Sequence, residues 1–474
     1  MSPDLRSSFA FEMSSARTAY AEGDLDYAFA KLERAHILGQ RALWPHIATH
    51  WWMLKVAWYK ADWREIRGQI ARMIAAVFGY VFGWVPLGNT GGANVSPIKP
   101  MPIPAEFARF FEPTRKREKW IRLGFFAVLF VLICGGIFAR GVWSRAGEGV
   151  EVVTKYDGEC TKLSGYQGAE DIVIDAERRM AYAVGGDRRS FRSGGPGRAQ
   201  IWAIPLDSKV PAVPIDVSPT KPAVFRSFGA DLHIDANGTR RLFVANRADG
   251  GHTVDVFRVT DAGLMQHERA LRSPLLKNPN EIIAIAADRA LVTLDKSADA
   301  GTLWEILEGA FERLTGKVLL IGPTEARIVA DGINLANGIA LSPDGQTAYV
   351  AELVGRSLVV FDRNISTNEL TRRLSVPLHA APDNITVAPD GRVIIAAHPK
   401  LLTLALGYQQ SEEKPSPSKV FVYNPTSNSV KTLFASDGKE IAASSVAALD
   451  PQTGKLFIGS AFGPHILQCK LANL

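Results

Sequence analysis

Acidic and amide side chains stand at the starts of short apolar runs from residue 170 onwards in this chain. They are Glu170 and Asp171 in AEDIVID, Asp231 in GADLHID, Asn280 and Glu281 in NEIIAIA, Asn337 in NGIALS, and Asp383 with Asn384 in DNITVA. A carboxylate at the mouth of a buried strand must be paired, hydrogen-bonded or bound to a cation, because left bare it costs several kcal/mol or takes up a proton. Singly, each of these residues reads as a turn former, since Asn and Asp are common before strands. Together, carboxylate and amide oxygens without Cys or His are the ligand set of a hard cation, and Ca²⁺ suits such a set better than Mg²⁺ or Zn²⁺. A cation with an open position polarises a carbonyl and activates water, so the chemistry indicated is metal-assisted ester hydrolysis.

These residues converge only if a repeat aims them at one axis. Such a repeat is present: VIDAERRMAYAVGG, HIDANGTRRLFVAN, IAADRALVTLD, LSPDGQTAYVAEL, VAPDGRVIIAAHP and LDPQTGKLFIGSA each read as strand, tight turn, strand. Their turn residues Asp175, Asp235, Asp288, Asp344, Asp390 and Asp450 are 60, 53, 56, 46 and 60 positions apart. Strand-rich repeats at this period predict a six-bladed all-β propeller over residues 150–474. A β-sandwich is the alternative, although it would not return the same turn at this spacing. The one long stretch with helical periodicity in this region is WEILEGAFERLTG, Trp304 to Gly316. Cys160 and Cys469 bracket the repeats and invite a disulfide in an oxidising compartment, two unrelated thiols being the alternative.

On these motifs, from about Gly158 to Leu471, the chain resembles the paraoxonase/arylesterase family of six-bladed, calcium-dependent lactonases and esterases. The resemblance implies a tunnel Ca²⁺ held by Glu170, Asn280, Asn337, Asp383 and Asn384. It also implies a structural Ca²⁺ at Asp171, the Ala230 carbonyl and Glu281, where the family usually has Asp in place of Glu281. It pairs Cys160 with Cys469 and places His398, in AAHPK, in the active site. His398 and Asp383 are therefore the candidate catalytic residues, and a small-molecule lactone or aryl ester is the expected substrate. The chain departs from the pattern where a pair of histidines is proposed to activate water in mammalian members. Phe228 and Arg247 stand at those positions, and neither is a general base at neutral pH. The competing reading is a propeller that keeps calcium for stability and serves as a non-catalytic binding module.

Composition places the propeller on a membrane. The net charge of +6 on 474 residues is spread along the chain except in RKREKWIR, Arg115 to Arg122, so a nucleic-acid partner is not expected. Directly after it, LGFFAVLFVLICGGIFA, Leu123 to Ala139, is an apolar run at the short end of the ~17–25 residues that cross a bilayer. With Trp120 and Trp143 at its interfaces, it predicts a transmembrane helix over 120–143, a buried core helix being the alternative. Arg109, Arg115, Lys116, Arg117, Lys119 and Arg122 precede it, against Arg140, Arg145 and Lys155 after it. This bias predicts an N-terminus in the cytoplasm and a propeller that is periplasmic or extracellular.

Residues 1–112 read as an all-α helical domain followed by a Pro/Gly-rich linker, PLGNTGGANVSPIKPMPIP, residues 86–104. LERAHILGQ followed by two spaced histidines resembles a short bacterial domain family of unknown function, and this resemblance implies a bacterial inner membrane as the setting. His46 and His50 are four apart on one helix face, and Glu33 and His36 form a Glu-x-x-His pair on the preceding helix. If those helices are antiparallel neighbours, His36, His46, His50 and Glu33 converge on Zn²⁺ or iron, with Glu65 and Gln69 as further candidates. Histidines that only cap or hydrogen-bond within the bundle are the alternative.

Overall fold

The computed structural model describes the chain except residues 112–115, 194, 196–198, 209–212, 249, 299–301, 305–307, 309–310, 312 and 473–474, and describes no side chains at 116–123. The basic cluster Arg115 to Arg122, Trp120 and nearly half of the 304–316 stretch therefore lie outside the described residues or side chains. The chain divides into two compact units, Met1–Ala139 and Arg140–Leu474.

The first unit is built on helices α1 (Pro3–Glu22), α2 (Leu25–Gly39), α3 (Leu43–Tyr59) and α4 (Trp63–Phe82). Local signals set their ends. Ser2 caps α1 ahead of Pro3, Gly23 stops it at φ +83°, and Asp24 and Asp62 cap α2 and α4 through their carboxylates. Met13, Ala16, Ala28, Leu32, Met53 and Val56 form the core between α1, α2 and α3. The Pro/Gly-rich segment is no free linker. Met101 N donates to Leu87 O at 2.9 Å, and the buried Asn89 amide donates to Ser96 O and Lys99 O, closing a compact loop. Polar self-bonding of this kind is invisible to composition. Helix α5 (Lys116–Arg145) follows, and its Gly124–Arg145 part is the one helix among the described residues long and apolar enough to cross a membrane.

The second unit contains six antiparallel sheets, five of four strands and one of five. Their first strands are Ala169–Asp175, Ser227–Ile234, Pro279–Ala286, Ala336–Leu341, Ala381–Val387 and Ser444–Leu449, defining blades one to six. Each packs on the next and the sixth on the first, so the ring closes. The second strand of a blade is covered on both faces, and Val393–His398 of blade five is accordingly buried at every position. The apolar core is divided into six clusters, one between each pair of neighbouring blades. Phe457 and Val446 of blade six, for example, pack with Ile172 and Trp202 of blade one. Strand Gly158–Ser164 completes blade six against His465–Leu471, with Cys160 opposite Cys469 in register and the two joined as a disulfide. The predicted turn aspartates also bind blades together. Asp450 accepts two hydrogen bonds from Arg179 of blade one, and Asp175 accepts one from Arg240 of blade two.

Candidate functional site

All six inner strands are irregular at the same point. Pairing with the second strand slips between Ala169 and Asp171, Ser227 and Ala230, Pro279 and Ile282, Ala336 and Ile339, Pro382 and Ile385, and Ser444 and Val446. A bulge turns the extra residue out of the alternating pattern and re-aims its side chain. The residues inside these slips are Glu170, Phe228, Gly229, Asn280, Glu281, Asn337, Gly338, Asp383, Asn384 and Ser445. Every predicted tunnel ligand thus occupies a bulge. Glycine permits the close approach: a Cβ on Gly338 would stand 2.5 Å from Asp383 O and 2.8 Å from Asn384 Cα on the next blade.

Glu170, Asn280, Asn337, Asp383 and Asn384 are all buried. Four of them present an oxygen with no hydrogen-bond partner: Glu170 Oε2, Asn280 Oδ1, Asn337 Oδ1 and Asn384 Oδ1. Asn384 spends its amide nitrogen on Glu170 O at 3.2 Å, which leaves its oxygen uncommitted. Buried acceptors without donors are costly and uncommon, and several on equivalent strands of one ring are what a bound cation relieves. The carboxyls respond in the same sense. Burial, opposed by Arg188 and reinforced by Asp383, pushes Glu170 up to about 7, and burial with the neighbouring Glu170 pushes Asp171 up to about 8. Burial also raises Asp231 to about 6 and carries Glu281 well above the carboxylate range.

At the predicted structural set, Asp171 already accepts from Ile172 N and Ala230 N at 2.8 Å each. Glu281 accepts from Ile282 N through Oε1 while its Oε2 has no partner. Its carboxyl lies so close to Gly229 that a Cβ there would meet Oε1 at 2.1 Å. Asp171, the 229–230 backbone and the longer Glu281 are thus brought together, with Ala230 meeting Asp171 through its N–H.

His398 Nε2 lies 2.7 Å from Asp383 Oδ2, both residues being buried. A carboxylate only accepts, so Nε2 carries the proton and Nδ1 holds a lone pair without a partner. Phe228 and Arg247 meet a residue that the motif reading did not single out. Short helix α6 (Arg188–Arg192) brings Arg188 in, its guanidinium 3.8 Å from the Phe228 ring centroid, while Arg247 stacks at 4.0 Å. Arg247 is held by Asp295 Oδ2 at 2.8 Å and Pro279 O at 2.7 Å. Arg188 lies 3.4 Å from Glu170 Oε2. The only sequence signal for it is an arginine pair, with Asp187 as cap, directly after a blade strand.

A family model described as Arylesterase matches residues 189–471, and one described as a protein of unknown function (DUF3703) matches residues 3–111. Human serum paraoxonase/arylesterase 1 is 28% identical over 326 residues, covering 66% of this chain and 88% of that protein. Human serum paraoxonase/lactonase 3 is 27% identical over 252 residues, covering 52% of this chain and 69% of that protein. Among solved structures, a luciferin-regenerating enzyme aligns with a TM-score of 0.45 at 15% identity, over 67% of this chain and 96% of that one. A periplasmic gluconolactonase of Pseudomonas aeruginosa aligns with a TM-score of 0.40 at 12% identity, over 64% of this chain and 85% of that one.

Proposed function

The chain belongs to the arylesterase family, and on that premise we propose that its propeller is a calcium-dependent hydrolase of lactones or aryl esters. The observation that carries this reading is the set of oxygens without a hydrogen-bond donor on Glu170, Asn280, Asn337 and Asn384, the first of them ion-paired with Arg188, beside the carboxylate of Asp383. These five residues would hold the tunnel Ca²⁺, while Asp171, Ala230 and Glu281 would hold a second, structural one. When bound, the tunnel ion supplies a Lewis acid for the scissile carbonyl and lowers the pKa of water. The protein supplies the proton acceptor. Asp383 orients His398 through Nε2–H, so that the Nδ1 lone pair takes the proton from the attacking water, and the carboxylate steadies the resulting imidazolium.

We place this hydrolase on a membrane through Gly124–Arg145, with the propeller on the side away from the N-terminus. The excess of Lys and Arg ahead of the helix supports that orientation. Protease digestion of sealed spheroplasts that leaves the propeller intact would overturn it.

The second reading, a calcium-stabilised binding module, is favoured by one observation: Phe228 and Arg247 are locked in a stack with Arg188 and offer no base. One set of assays separates the two. The full chain in detergent should hydrolyse a lactone or phenyl ester only with Ca²⁺, and Asp383→Asn should weaken Ca²⁺ binding roughly tenfold or more. His398→Gln should retain calcium affinity, lose kcat by about 10²–10⁴ and lose the acidic limb of the pH–rate profile, the fall in rate as the base protonates. A wild-type protein that binds calcium but hydrolyses neither substrate class supports the module.

A further inference from the structure

The histidines of the first unit form a second constellation, unrelated to the propeller chemistry. His36 on α2 and His46 and His50 on α3 are all buried, and their ligand atoms lie within 4.8 Å of one another. The approach is by the same nitrogen of each ring. Nε2 of His36 is 2.8 Å from Nε2 of His46 and 3.2 Å from Nε2 of His50, and the last two are 3.1 Å apart. Glu33 is not part of this cluster.

Hydrogen-bond bookkeeping decides what the three rings are. His36 Nδ1 faces the carbonyl of Asn89 at 2.8 Å, and a carbonyl only accepts, so the ring proton sits on Nδ1. His50 Nδ1 faces Gln69 Oε1 at 2.6 Å. The orientation of Gln69 is fixed from its other end, because its amide nitrogen donates to Glu65 Oε1 at 2.5 Å and to Gly91 O at 2.9 Å. His50 therefore also carries its proton on Nδ1. Nε2 of His36 and of His50 are then bare lone pairs 3.2 Å apart. His46 has at most one Nε2 proton, which can serve one neighbour and leaves the other unmatched. Protonating a ring would set a positive charge among three buried imidazoles with no carboxylate in the cluster to balance it. The reading in which these histidines merely bond to one another therefore fails on donor count.

We propose that His36, His46 and His50 form a binding site for a divalent transition-metal ion, Zn²⁺ foremost, through their three Nε2 atoms. At a metal–nitrogen distance of ~2.05 Å, tetrahedral ligands stand about 3.3 Å apart, within half an ångström of the spacing found. Three neutral imidazoles without thiolate suit Zn²⁺ or Cu²⁺, and the absence of Glu33 from the cluster removes the two-histidine, one-carboxylate pattern of non-haem iron. The outer shell is built for the purpose. Glu65 accepts from Ala93 N, orients Gln69, and Gln69 orients His50, while Asn89 orients His36. The 86–104 loop that supplies Asn89 passes so close that a Cβ on Gly91 would stand 2.6 Å from the His36 ring. Three protein ligands leave a fourth position for water or an exchanging ligand.

The test uses the full-length chain without a polyhistidine tag, stripped with chelator in detergent and held in millimolar Ca²⁺ to saturate propeller sites. After dialysis against Zn²⁺, about one equivalent should remain per chain, and Co²⁺ in its place should give the intense visible bands of a tetrahedral site. His46→Ala and His50→Ala should lose both signals, and Asp383→Asn should keep both. Gln69→Leu, which leaves all three ligands in place, should weaken Zn²⁺ binding by about 10–100-fold. A wild-type chain that retains no Zn²⁺, or equal retention by folded His46→Ala, would overturn the proposal. Should the alanine variants unfold, Gln69→Leu with unchanged affinity would do so alone.

Discussion

Glu170 and Asp171 are neighbours in sequence with different bonding. Asp171 spends its oxygens on two backbone amides, whereas Glu170 Oε2 at the bulge takes no hydrogen bond and faces only the Arg188 guanidinium at 3.4 Å. Both carboxyls are raised by burial, to about 8 and about 7. The sign of the consequence follows from linkage. A carboxyl whose folded pKa exceeds its unfolded one stays protonated in the fold while the unfolded chain ionises, so stability falls as pH rises from about 4 towards the folded value. For Glu170 alone this is on the order of 3 kcal/mol. Calcium-free protein should therefore melt at a lower temperature at pH 8 than at pH 5.5, and saturating Ca²⁺ should reverse most of the difference. Thermal melts with and without chelator check this, and a calcium-free melting point that rises with pH would refute it. Residue types were legible here before any fold was known, because oxygen ligands announce themselves by chemistry. Their freedom from hydrogen bonds was not, since it depends on the bulges and on which amides the neighbouring strands present.

At the scale of elements, turn chemistry was readable and insertions were not. The Asp-centred turns mark each blade, and two of them reach arginines on the next blade. Short helix α6 carries no hydrophobic period, yet it sets Arg188 3.4 Å from Glu170 Oε2 and against the Phe228 ring. A guanidinium at that oxygen competes electrostatically with a cation. Arg188→Gln should consequently raise Ca²⁺ affinity by roughly tenfold or more, as read by titration with a calcium indicator. Unchanged or weaker binding would mean that Arg188 does not compete at the ligand oxygen. The 86–104 segment teaches the same lesson from the other unit. Its Pro and Gly content reads as a linker, but the Asn89 side chain closes it into a loop, and the Asn89 backbone carbonyl meets His36, 53 residues away in sequence.

At the scale of the whole molecule, a ring of blades has to be closed. Periodicity alone indicates the number of blades, because each repeat buries its apolar surface only against its neighbours, and the six inter-blade clusters are the result. Periodicity does not say what holds the last blade to the first. Strand Gly158–Ser164 does so, pairing with His465–Leu471 at all seven positions, and the Cys160–Cys469 bond ties chain positions 309 residues apart. Linking such distant points removes unfolded-chain entropy worth on the order of 5 kcal/mol at most. Because the seven residue pairs of this strand pairing and the Arg179–Asp450 contact also span the seam, the fold should survive without the bond. The double variant Cys160→Ser/Cys469→Ser should keep its far-ultraviolet circular dichroism and lower its urea midpoint. Excess Ca²⁺ should recover part of the loss, about 2.7 kcal/mol at a hundred times Kd for each site that unfolding destroys. A variant with an unchanged midpoint would show that the seam is held by strand pairing alone, and one unable to fold even in Ca²⁺ would show that the bond is needed to form it.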